Sequence, residues 1–336
     1  MSRPVRFRLL EDGRWSGGGS VLLENAREAR EQHPVLQGDE HAVPIMARNV
    51  PPMGKFPPAP FVVAPQNAWV WTPVARGTKE RTLVTGLRVG TRVTYNRASA
   101  VIRISEAVPP GQSVPTSEVL HNVLDRGFEI AADRYDERTG LLCEGAFVCV
   151  GSNYSFRDLA LLVRAHRAYR AGGGERRLVL MGPVGSHAAE KRLQAELHSS
   201  DDSVVRRPES TRAECLSALR SAYAAVCPAR VEASPVGVLE AAALSPRVLL
   251  SDIVGHRGIV GSLDGAGEPA YFRPHDLASL THNLKELDEA PAHAWRAGID
   301  TVDARQDARG RWGECLAAFL TGLADSITSE VDKEPA

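Results

Sequence analysis

The chain has 336 residues, of which 43% are hydrophobic and 24% are charged. That length exceeds one typical domain and favours two, and both fractions are those of a globular protein. The 40 basic and 41 acidic residues leave a formal net charge of −1. This balance argues against a nucleic-acid-binding protein, because such proteins need a basic face.

The cysteines and the N-terminus indicate a cytoplasmic protein. The five cysteines are odd in number, form no C-x-x-C pair and mostly lie in apolar runs, so we expect buried thiols in a reducing compartment. They are Cys143, Cys149, Cys215, Cys227 and Cys315. The N-terminus lacks the apolar core of a secretory signal, and no run approaches the ~20 apolar residues of a membrane-spanning helix. Arginine makes up 35 of the 40 basic residues, a bias typical of GC-rich bacterial genomes.

The first part of the chain predicts short strands between loops. A strand over Val5–Leu10 is followed by the glycine cluster Gly17, Gly18 and Gly19 and by a helix over Ser20–Glu31. The segment Pro44–Pro60 is rich in proline and lacks periodicity, which predicts a loop. Further strands are predicted over Phe61–Ala64, Ala98–Ile104 and Val119–Asp125, the last ending in a turn.

From Gly145 onward, apolar strands alternate regularly with helices. Strands are predicted over Ala146–Val150, Leu178–Met181, Val204–Val205, Ala224–Cys227 and Val248–Leu250. Helices are predicted over Phe156–Arg170, Ser186–His198, Thr211–Ser221, Pro235–Leu244, Asp276–Leu287 and Arg311–Ile327. Such alternation is typical of a parallel sheet covered by helices on both faces.

The alternation of strands and helices predicts Rossmann-like α/β domains. Because a charged stretch between Asp125 and Glu144 interrupts the apolar pattern, we expect two such domains. We expect an N-terminal domain over residues 1–130, a second domain over residues 140–305, and a C-terminal helix and tail over residues 306–336 that returns to the N-terminal domain. Ligands of parallel sheets bind beyond the carboxyl ends of the strands, so the expected site is a cleft between the two domains.

The segment Val231–Ala242 carries the most chemical information, because it follows a buried strand and opens a helix. Ser234 is suited to cap that helix, and Pro235 to its first turn. The amides of Val236 and Gly237 would then be free to bind a diphosphate, with help from the helix dipole.

Two glutamates flank this helix start. Glu240 lies inside the helix, where its carboxylate could accept hydrogen bonds from two ribose hydroxyls, and Glu232 could do the same for a transferred sugar. Plainer interpretations exist for both: Glu240 could be a solvated helix residue, and Glu232 could pair with Arg230.

The segment resembles the signature of the retaining glycosyltransferases of family 4, which have the GT-B fold. Their pattern is two glutamates separated by seven residues, then alanine, then a strand ending near Ser-Asp. It is matched by Glu232, Glu240, Ala241 and Ser251-Asp252. Other landmarks of the family are matched by Phe147–Gly151 with Arg157-Asp158, Leu178–Gly182, His121–Asp125, and Pro269–Pro274 with Asp276. The resemblance covers residues 119–290 well and residues 1–118 loosely.

The resemblance implies that a sugar moves from a UDP-, GDP- or dTDP-linked donor to an acceptor hydroxyl with retention. In this family the leaving phosphate itself helps to deprotonate the acceptor. Donor-binding residues would be Gly151, Ser152, Arg157, Ser234, Pro235, Val236, Gly237 and Glu240, with Arg157 and Glu232 catalytic. Ser152 stands where the family often has arginine, and Gly258 where it often has glutamate.

Departure of a nucleoside diphosphate concentrates negative charge on the leaving phosphate. Arg157 and the helix-start amides could stabilise that charge, although Arg157 could instead be a surface residue that pairs with Asp158. No D-x-D element lies where a metal-dependent transferase would place one, so we expect neither a metal nor a cofactor beyond the nucleotide sugar.

The N-terminal half is expected to bind the acceptor. Trp15 and the glycines Gly17, Gly18 and Gly19 resemble the family's glycine-rich acceptor loop, where bare backbone allows a ligand to approach closely. Gln66, Asn67 and Trp69 follow a buried strand and could meet sugar hydroxyls, although Trp69 and Trp71 could equally be core aromatics. The short N-terminal half favours a small soluble acceptor, as in natural-product biosynthesis.

Other functions remain open at this point. A nicotinamide dehydrogenase would need G-x-G-x-x-G after a strand, which neither Gly151 nor Gly182–Gly185 supplies. A GT-B sugar epimerase or phosphorylase is harder to separate from a transferase. The residues at Ser152 and Gly258 also leave open a catalytically silent GT-B partner protein.

Overall fold

The computed structural model describes residues 5–10, 18–39, 42–47, 56–57, 59–65, 68, 70–71, 78–109, 116–197, 202–263, 268–289, 299 and 301–331. These residues form two compact units. The first contains the described residues up to Arg126 together with the C-terminal stretch from Arg305, and the second runs from Gly127 to Ala304.

The first unit is built on a parallel sheet of five strands that lie side by side in chain order. The strands are β1 (Phe7–Leu9), β2 (Val43–Met46), β3 (Val62–Val63), β4 (Ala100–Arg103) and β5 (Ser117–Val119). Helices α1 (Gly18–Gln32) and α2 (Thr78–Arg97) and a 3-10 turn over Pro34–Leu36 connect them. The core of this unit includes Met46, Phe61 and Tyr95.

Strand β2 lies in the segment Pro44–Pro60, so the prediction of a loop there was wrong at its start. The Val43 amide donates to Arg6 O at 2.8 Å and the Leu10 amide to Ile45 O at 3.0 Å, so both β2 residues face β1. Pro44 faces the other neighbour, β3, whose pairing with β2 starts only at Ile45. The missing N–H of Pro44 therefore costs no sheet hydrogen bond.

One further strand prediction for this unit was wrong, and one helix was not predicted. A strand was predicted over Val119–Asp125, but β5 ends at Val119. Leu120 and Leu124 are buried in the irregular segment after β5. Helix α2 was not predicted, since it is rich in threonine, valine and glycine, which have low helix propensity. The hydroxyls of Thr91 and Thr94 there bond to carbonyls one turn back.

The second unit is built on a six-stranded parallel sheet in the order β11-β10-β9-β6-β7-β8. Its strands are β6 (Phe147–Val150), β7 (Leu178–Met181), β8 (Val204–Arg207), β9 (Ala224–Cys227), β10 (Val248–Ser251) and β11 (Ala270–Phe272). Strands β6 to β10 each agree with a predicted strand to within about two residues at either end, and β11 lies within the segment Pro269–Pro274 that the resemblance indicated. The strand order reverses between β6 and β9, which makes this pair the topological switch point of a Rossmann-like sheet.

Helices precede and follow the strands of the second unit, and the five longest of those that follow a strand were predicted. The helices are α3 (Arg126–Ala132), α4 (Glu137–Cys143), α5 (Leu159–Ala171), α6 (His187–Glu196), α7 (Arg212–Ser221), α8 (Val236–Leu244), α9 (Val254–Gly261) and α10 (Leu277–Glu289). The short helices α3, α4 and α9 were not predicted. Helix α4 starts inside the charged stretch because Asp136 caps it, accepting from the Thr139 amide at 2.7 Å.

Helix α5 shows how the core of the second unit forms. Its apolar residues Leu159, Leu162, Val163 and Tyr169 share one face, and all four are buried. The Tyr169 hydroxyl donates to Asp288 in α10, and Arg176 Nε lies 2.5 Å from the other oxygen of that carboxylate. The aromatic core residue is thus bonded at its polar end, which limits the cost of burying it.

The chain ends in helix α11 (Val302–Val331), which begins nine residues before the predicted helix. It belongs to the first unit from Arg305 onward, so the expected return of the C-terminal helix to the N-terminal domain is confirmed. Arg309 donates to Leu124 O at 3.2 Å and lies 3.5 Å from Glu28 in α1. The buried side chains of α11 include Trp312, Leu316, Leu320 and Leu323.

The membrane and cysteine predictions fare differently. Across the described ranges, no helix combines the length with the apolar character needed to cross a membrane. Cys143, Cys149 and Cys215 are buried as predicted, whereas Cys227 is partly buried and Cys315 is exposed on α11. Cys315 was misjudged because an apolar run on a helix also contains positions that face solvent.

Candidate functional site

The candidate site lies at the carboxyl ends of β6 and β9, the switch point of the second sheet. Gly151 directly follows β6 with φ +136°, and Gly182 follows β7 with φ +113°. A Cβ added to Gly182 would lie 2.8 Å from Gly151 O. Both positions therefore require glycine. The turns that they form direct the chain after β6 towards the candidate site.

Arg157 and Glu232 form an ion pair at this switch point. Nη2 of Arg157 lies 2.9 Å from Oε1 of Glu232, and Nη1 donates to Val150 O at 3.2 Å. The arginine comes from the chain after β6 and the glutamate from the chain after β9. The alternative pairings Arg157–Asp158 and Glu232–Arg230 are wrong: Asp158 instead lies 3.3 Å from Arg230 Nε and 2.9 Å from His275 Nδ1.

Burial and charge act in opposite directions on this pair. Burial raises the pKa of the Glu232 carboxyl, and the neighbouring Arg157 charge opposes that rise. Burial is the largest single effect on Arg157 and disfavours its charge, but the negative charge of Glu232, its hydrogen bond and the neighbouring Cys149 and Cys227 together hold the pKa of the guanidinium above its ordinary value. Arg157 is therefore a fixed positive charge in a partly desolvated site.

Helix α8 begins beside this pair. Its N-cap is Pro235, one residue later than predicted, and Ser234 is buried in the preceding turn without capping the helix. The first backbone hydrogen bond runs from the Val238 amide to Pro235 O at 3.0 Å. Within the described residues, no backbone carbonyl accepts a hydrogen bond from the amide of Val236 or Gly237. Two N–H donors are therefore available at the positive end of the helix dipole.

Gly237 leaves room at this helix start. A Cβ added there would meet only Val150 O, at the ordinary contact distance of 3.8 Å. The protein itself therefore does not require glycine at this position. A ligand lying against the helix start would require it.

Glu240 is buried on α8 and is not a solvated helix residue. Its Oε1 lies 3.0 Å from Nε and 2.9 Å from Nη2 of Arg212, the first residue of α7. Arg212 therefore compensates the buried charge. Its side chain is 36% exposed, so it could turn to water if a ligand took its place.

His256 was not predicted as a site residue. It lies in α9, is 1% exposed, and its Nδ1 lies 2.9 Å from Ser251 O. Burial, assisted by the charge of Arg157 and opposed by the Ser251 hydrogen bond, lowers the pKa of its imidazole to about 4. The available signal was its position just after Ser251-Asp252, at the carboxyl end of a central strand.

The ion pair, the start of α8 and His256 line one concave cavity, whereas Glu240 is not part of its lining. Its walls include Arg157, Glu232, Pro235, Gly237 and His256. The cavity thus combines one fixed cation, one carboxylate and one neutral imidazole beside a helix N-terminus. No cluster of three or more His, Cys, Asp or Glu side chains able to hold a metal occurs within the described ranges.

The predicted acceptor residues are mostly untested. Trp15, Gly17, Gln66, Asn67 and Trp69 lie outside the described residues. Gly18 and Gly19 were expected in a loop, but they are the first two residues of α1. Glycine is tolerated there because the first amides of a helix have no intrahelical partner.

Trp71 and His121 each contact another side chain of the first unit. Trp71 packs on Tyr95, with ring centroids 5.9 Å apart, which agrees with the interpretation as a core aromatic. His121 Nε2 lies 3.3 Å from Glu106.

Comparisons with known proteins show a fold and no closer relationship. No protein-family model matches the chain, and no curated protein matches it in sequence. Solved structures do match. An α,α-trehalose-phosphate synthase (UDP-forming) from Burkholderia vietnamiensis is 13% identical with a TM-score of 0.62, covering 94% of this chain and 79% of that one. The enzyme from Burkholderia multivorans is 14% identical with a TM-score of 0.60 and the same coverage.

A sucrose-phosphate synthase from Thermosynechococcus elongatus is also similar. It is 13% identical with a TM-score of 0.62, covering 98% of this chain and 100% of that one. These neighbours are GT-B glycosyltransferases, and the chain shares their fold of two Rossmann-like units, as predicted.

Proposed function

We propose that this protein is a glycosyltransferase that moves a sugar from a nucleotide-diphosphate sugar to a hydroxyl group of a small acceptor. One observation carries the proposal: the Arg157–Glu232 ion pair and the start of helix α8 line the same cavity at the switch point of a Rossmann-like sheet. Ligands of such sheets bind at that point. The GT-B fold shared with known glycosyltransferases agrees with this function.

The proposed diphosphate site is the start of α8. The amides of Val236 and Gly237 would donate to phosphate oxygens, and the helix dipole favours negative charge there. Arg157 would add a guanidinium on the same side, since its contacts with Val150 and Glu232 use only part of its five N–H donors. Glu240 would bind the ribose hydroxyls by exchanging Arg212 for them.

The chemistry requires stabilisation of the leaving nucleoside diphosphate. Arg157 is already charged and held in place, so no reorganisation is needed as negative charge develops. The resemblance to family 4 supports retention of configuration, with the leaving phosphate accepting the acceptor's proton. Under this proposal, protein groups stabilise the charge without a metal ion.

The donor is proposed to carry UDP, GDP or dTDP. UDP is the first choice because the similar trehalose-phosphate synthases are UDP-forming. The acceptor is proposed to be a small hydroxylated molecule bound through the first unit, where Trp15, Gln66, Asn67 and Trp69 remain the predicted contacts.

Binding measurements on Gly237→Ala test the donor site. We expect UDP, GDP or dTDP to raise the melting temperature of the wild type, since a ligand at 100 times its Kd adds about 2.7 kcal/mol. Gly237→Ala should keep or slightly raise the melting temperature without ligand, because alanine favours a helix. The added methyl should weaken nucleotide binding about tenfold or more.

Gly261→Ala is the matched control. A Cβ there meets nothing within 4 Å, so its nucleotide affinity should equal that of the wild type. Equal affinity in Gly237→Ala would contradict the assignment of the α8 start. Nucleotide binding without transfer of labelled sugar to any acceptor would favour the catalytically silent GT-B protein instead.

A further inference from the structure

The hydrogen-bonding state of His256 follows from its neighbours. Nδ1 lies 2.9 Å from Ser251 O and 3.3 Å from Ser251 Oγ. A carbonyl oxygen can only accept, so Nδ1 must carry the proton. Because burial also keeps the ring uncharged, Nε2 presents a lone pair and can only accept a hydrogen bond.

Nε2 lacks a donor. Among the residues that the structure describes, no group donates to it. The ring is almost completely buried, yet it lines the cavity together with Arg157 and Glu232. Nε2 is not among the unpartnered atoms that the protein encloses completely, so it opens to the cavity, which is suited to a ligand that brings a hydrogen-bond donor.

The cavity also limits which donor fits. Glu232 and His256 both present acceptors, which disfavours phosphate oxygens at this end and favours hydroxyl groups. In the proposed nucleotide sugar, the diphosphate would lie at the start of α8 and the ribose at Glu240. The remaining hydroxyls are those of the sugar to be transferred.

Resting on the proposed function, we infer that His256 Nε2 accepts a hydrogen bond from a hydroxyl of the transferred sugar. His256 is then a specificity-determining residue of the donor site. It selects sugars that carry a free hydroxyl at that position, and Glu232 provides a second acceptor in the same cavity.

Two substitutions separate the two ring nitrogens. His256→Asn keeps a donor near Nδ1 for Ser251 O and removes the acceptor at Nε2, whereas His256→Gln places an amide oxygen near Nε2. The measurement is the ratio of the Kd of the nucleotide sugar to the Kd of the nucleotide, by calorimetry, for UDP-glucose with UDP and for GDP-mannose with GDP. Nucleotide affinity reports whether each variant is folded.

We expect His256→Asn to raise this ratio about tenfold for the pair that binds, with the nucleotide Kd unchanged. His256→Gln should restore the ratio at least partly. In the wild type, one monodeoxy analogue of the sugar should bind about tenfold more weakly than the parent, and His256→Asn should not distinguish that analogue from the parent.

The outcomes separate this inference from the proposed function. An unchanged ratio in His256→Asn, or a variant that still distinguishes every deoxy analogue as the wild type does, overturns the role of His256 and leaves the nucleotide site intact. If both variants fail to fold, the wild-type deoxy series decides: equal affinity for all analogues overturns the inference. Failure of the wild type to bind any of UDP, GDP and dTDP overturns the proposed function together with the inference.

Discussion

At the scale of single residues, the site depends on a glycine outside the predicted signature. A Cβ added to Gly255 would collide with Glu232 O and lie 2.7 Å from Ala233 O. Helix α9 can therefore approach the loop after β9 only because this residue has no side chain. The contact fixes the backbone that presents Glu232 and brings His256 to the same cavity.

The buried imidazole of His256 makes stability depend on pH. Its folded pKa of about 4 lies below the unfolded value of about 6.5, so the unfolded chain binds the proton more tightly. The stabilisation is fully present above pH 6.5 and is lost as the pH falls from 6.5 through 4. We expect a loss on the order of 3 kcal/mol from this group, measured by urea unfolding.

His256→Gln provides the comparison, because glutamine does not titrate. Arg157 and Glu232 line the same cavity and remain in both proteins, so their effects largely cancel in the difference. The gap in unfolding free energy between wild type and variant should shrink between pH 6.5 and 4. A gap that stays constant over that range would show that the ring has the same pKa in the folded and the unfolded states.

At the scale of elements, helix α7 supports the site through its cap. The Thr211 hydroxyl accepts from the Glu214 amide at 3.2 Å, and the Glu214 carboxylate accepts from the Thr211 amide at 2.7 Å. These two bonds form a capping box. The box fixes the helix start where Arg212 compensates the charge of Glu240.

Thr211→Ala should lower the stability of the second unit by about 1 kcal/mol, because it removes the cap. The melting temperature should fall by about 2–4 °C in calorimetry. Thr281→Ala in α10 is the matched control: its exposed hydroxyl bonds only within its own helix, so no loss is expected. Equal melting temperatures for the two variants would count against the importance of the cap.

At the scale of the whole molecule, each unit has its own hydrophobic core. The first unit is assembled from both ends of the chain, and α11 contributes the fully buried Leu320 to it. Within the described residues, the second unit comes from a single region of the chain and contains every residue of the proposed donor site. Nucleotide binding should therefore stabilise the second unit selectively.

Leu320→Ala should destabilise the first unit by about 2–5 kcal/mol through the cavity it leaves. In calorimetry with and without UDP, Leu320→Ala should lower the melting temperature of a transition that UDP does not shift. Leu284→Ala, which is equally buried in α10 of the second unit, should lower the transition that UDP raises. A single transition shifted by all three changes would show that the units unfold together.

The match between sequence and structure varies along the chain. Five of the six strands of the second unit could be predicted from their apolar runs, which are typical of buried parallel strands, whereas β11 was indicated only by the family resemblance. Strand β2 and helix α2 could not, since one contains Pro44 and the other is rich in threonine and valine, so that surrounding contacts override local propensity. The roles of Glu232 and Glu240 remain predictions, although both lie in the segment that the sequence indicated.

The sequence by itself determined the parallel α/β architecture and placed the start of α8 to within one residue, because both follow from the order of residue types along the chain. Only the tertiary structure decided which charges meet. Glu232 pairs with Arg157 and not with the nearby Arg230, and Glu240 pairs with Arg212. The site also gained His256, because the carboxyl ends of three strands lie side by side only after the sheet has formed.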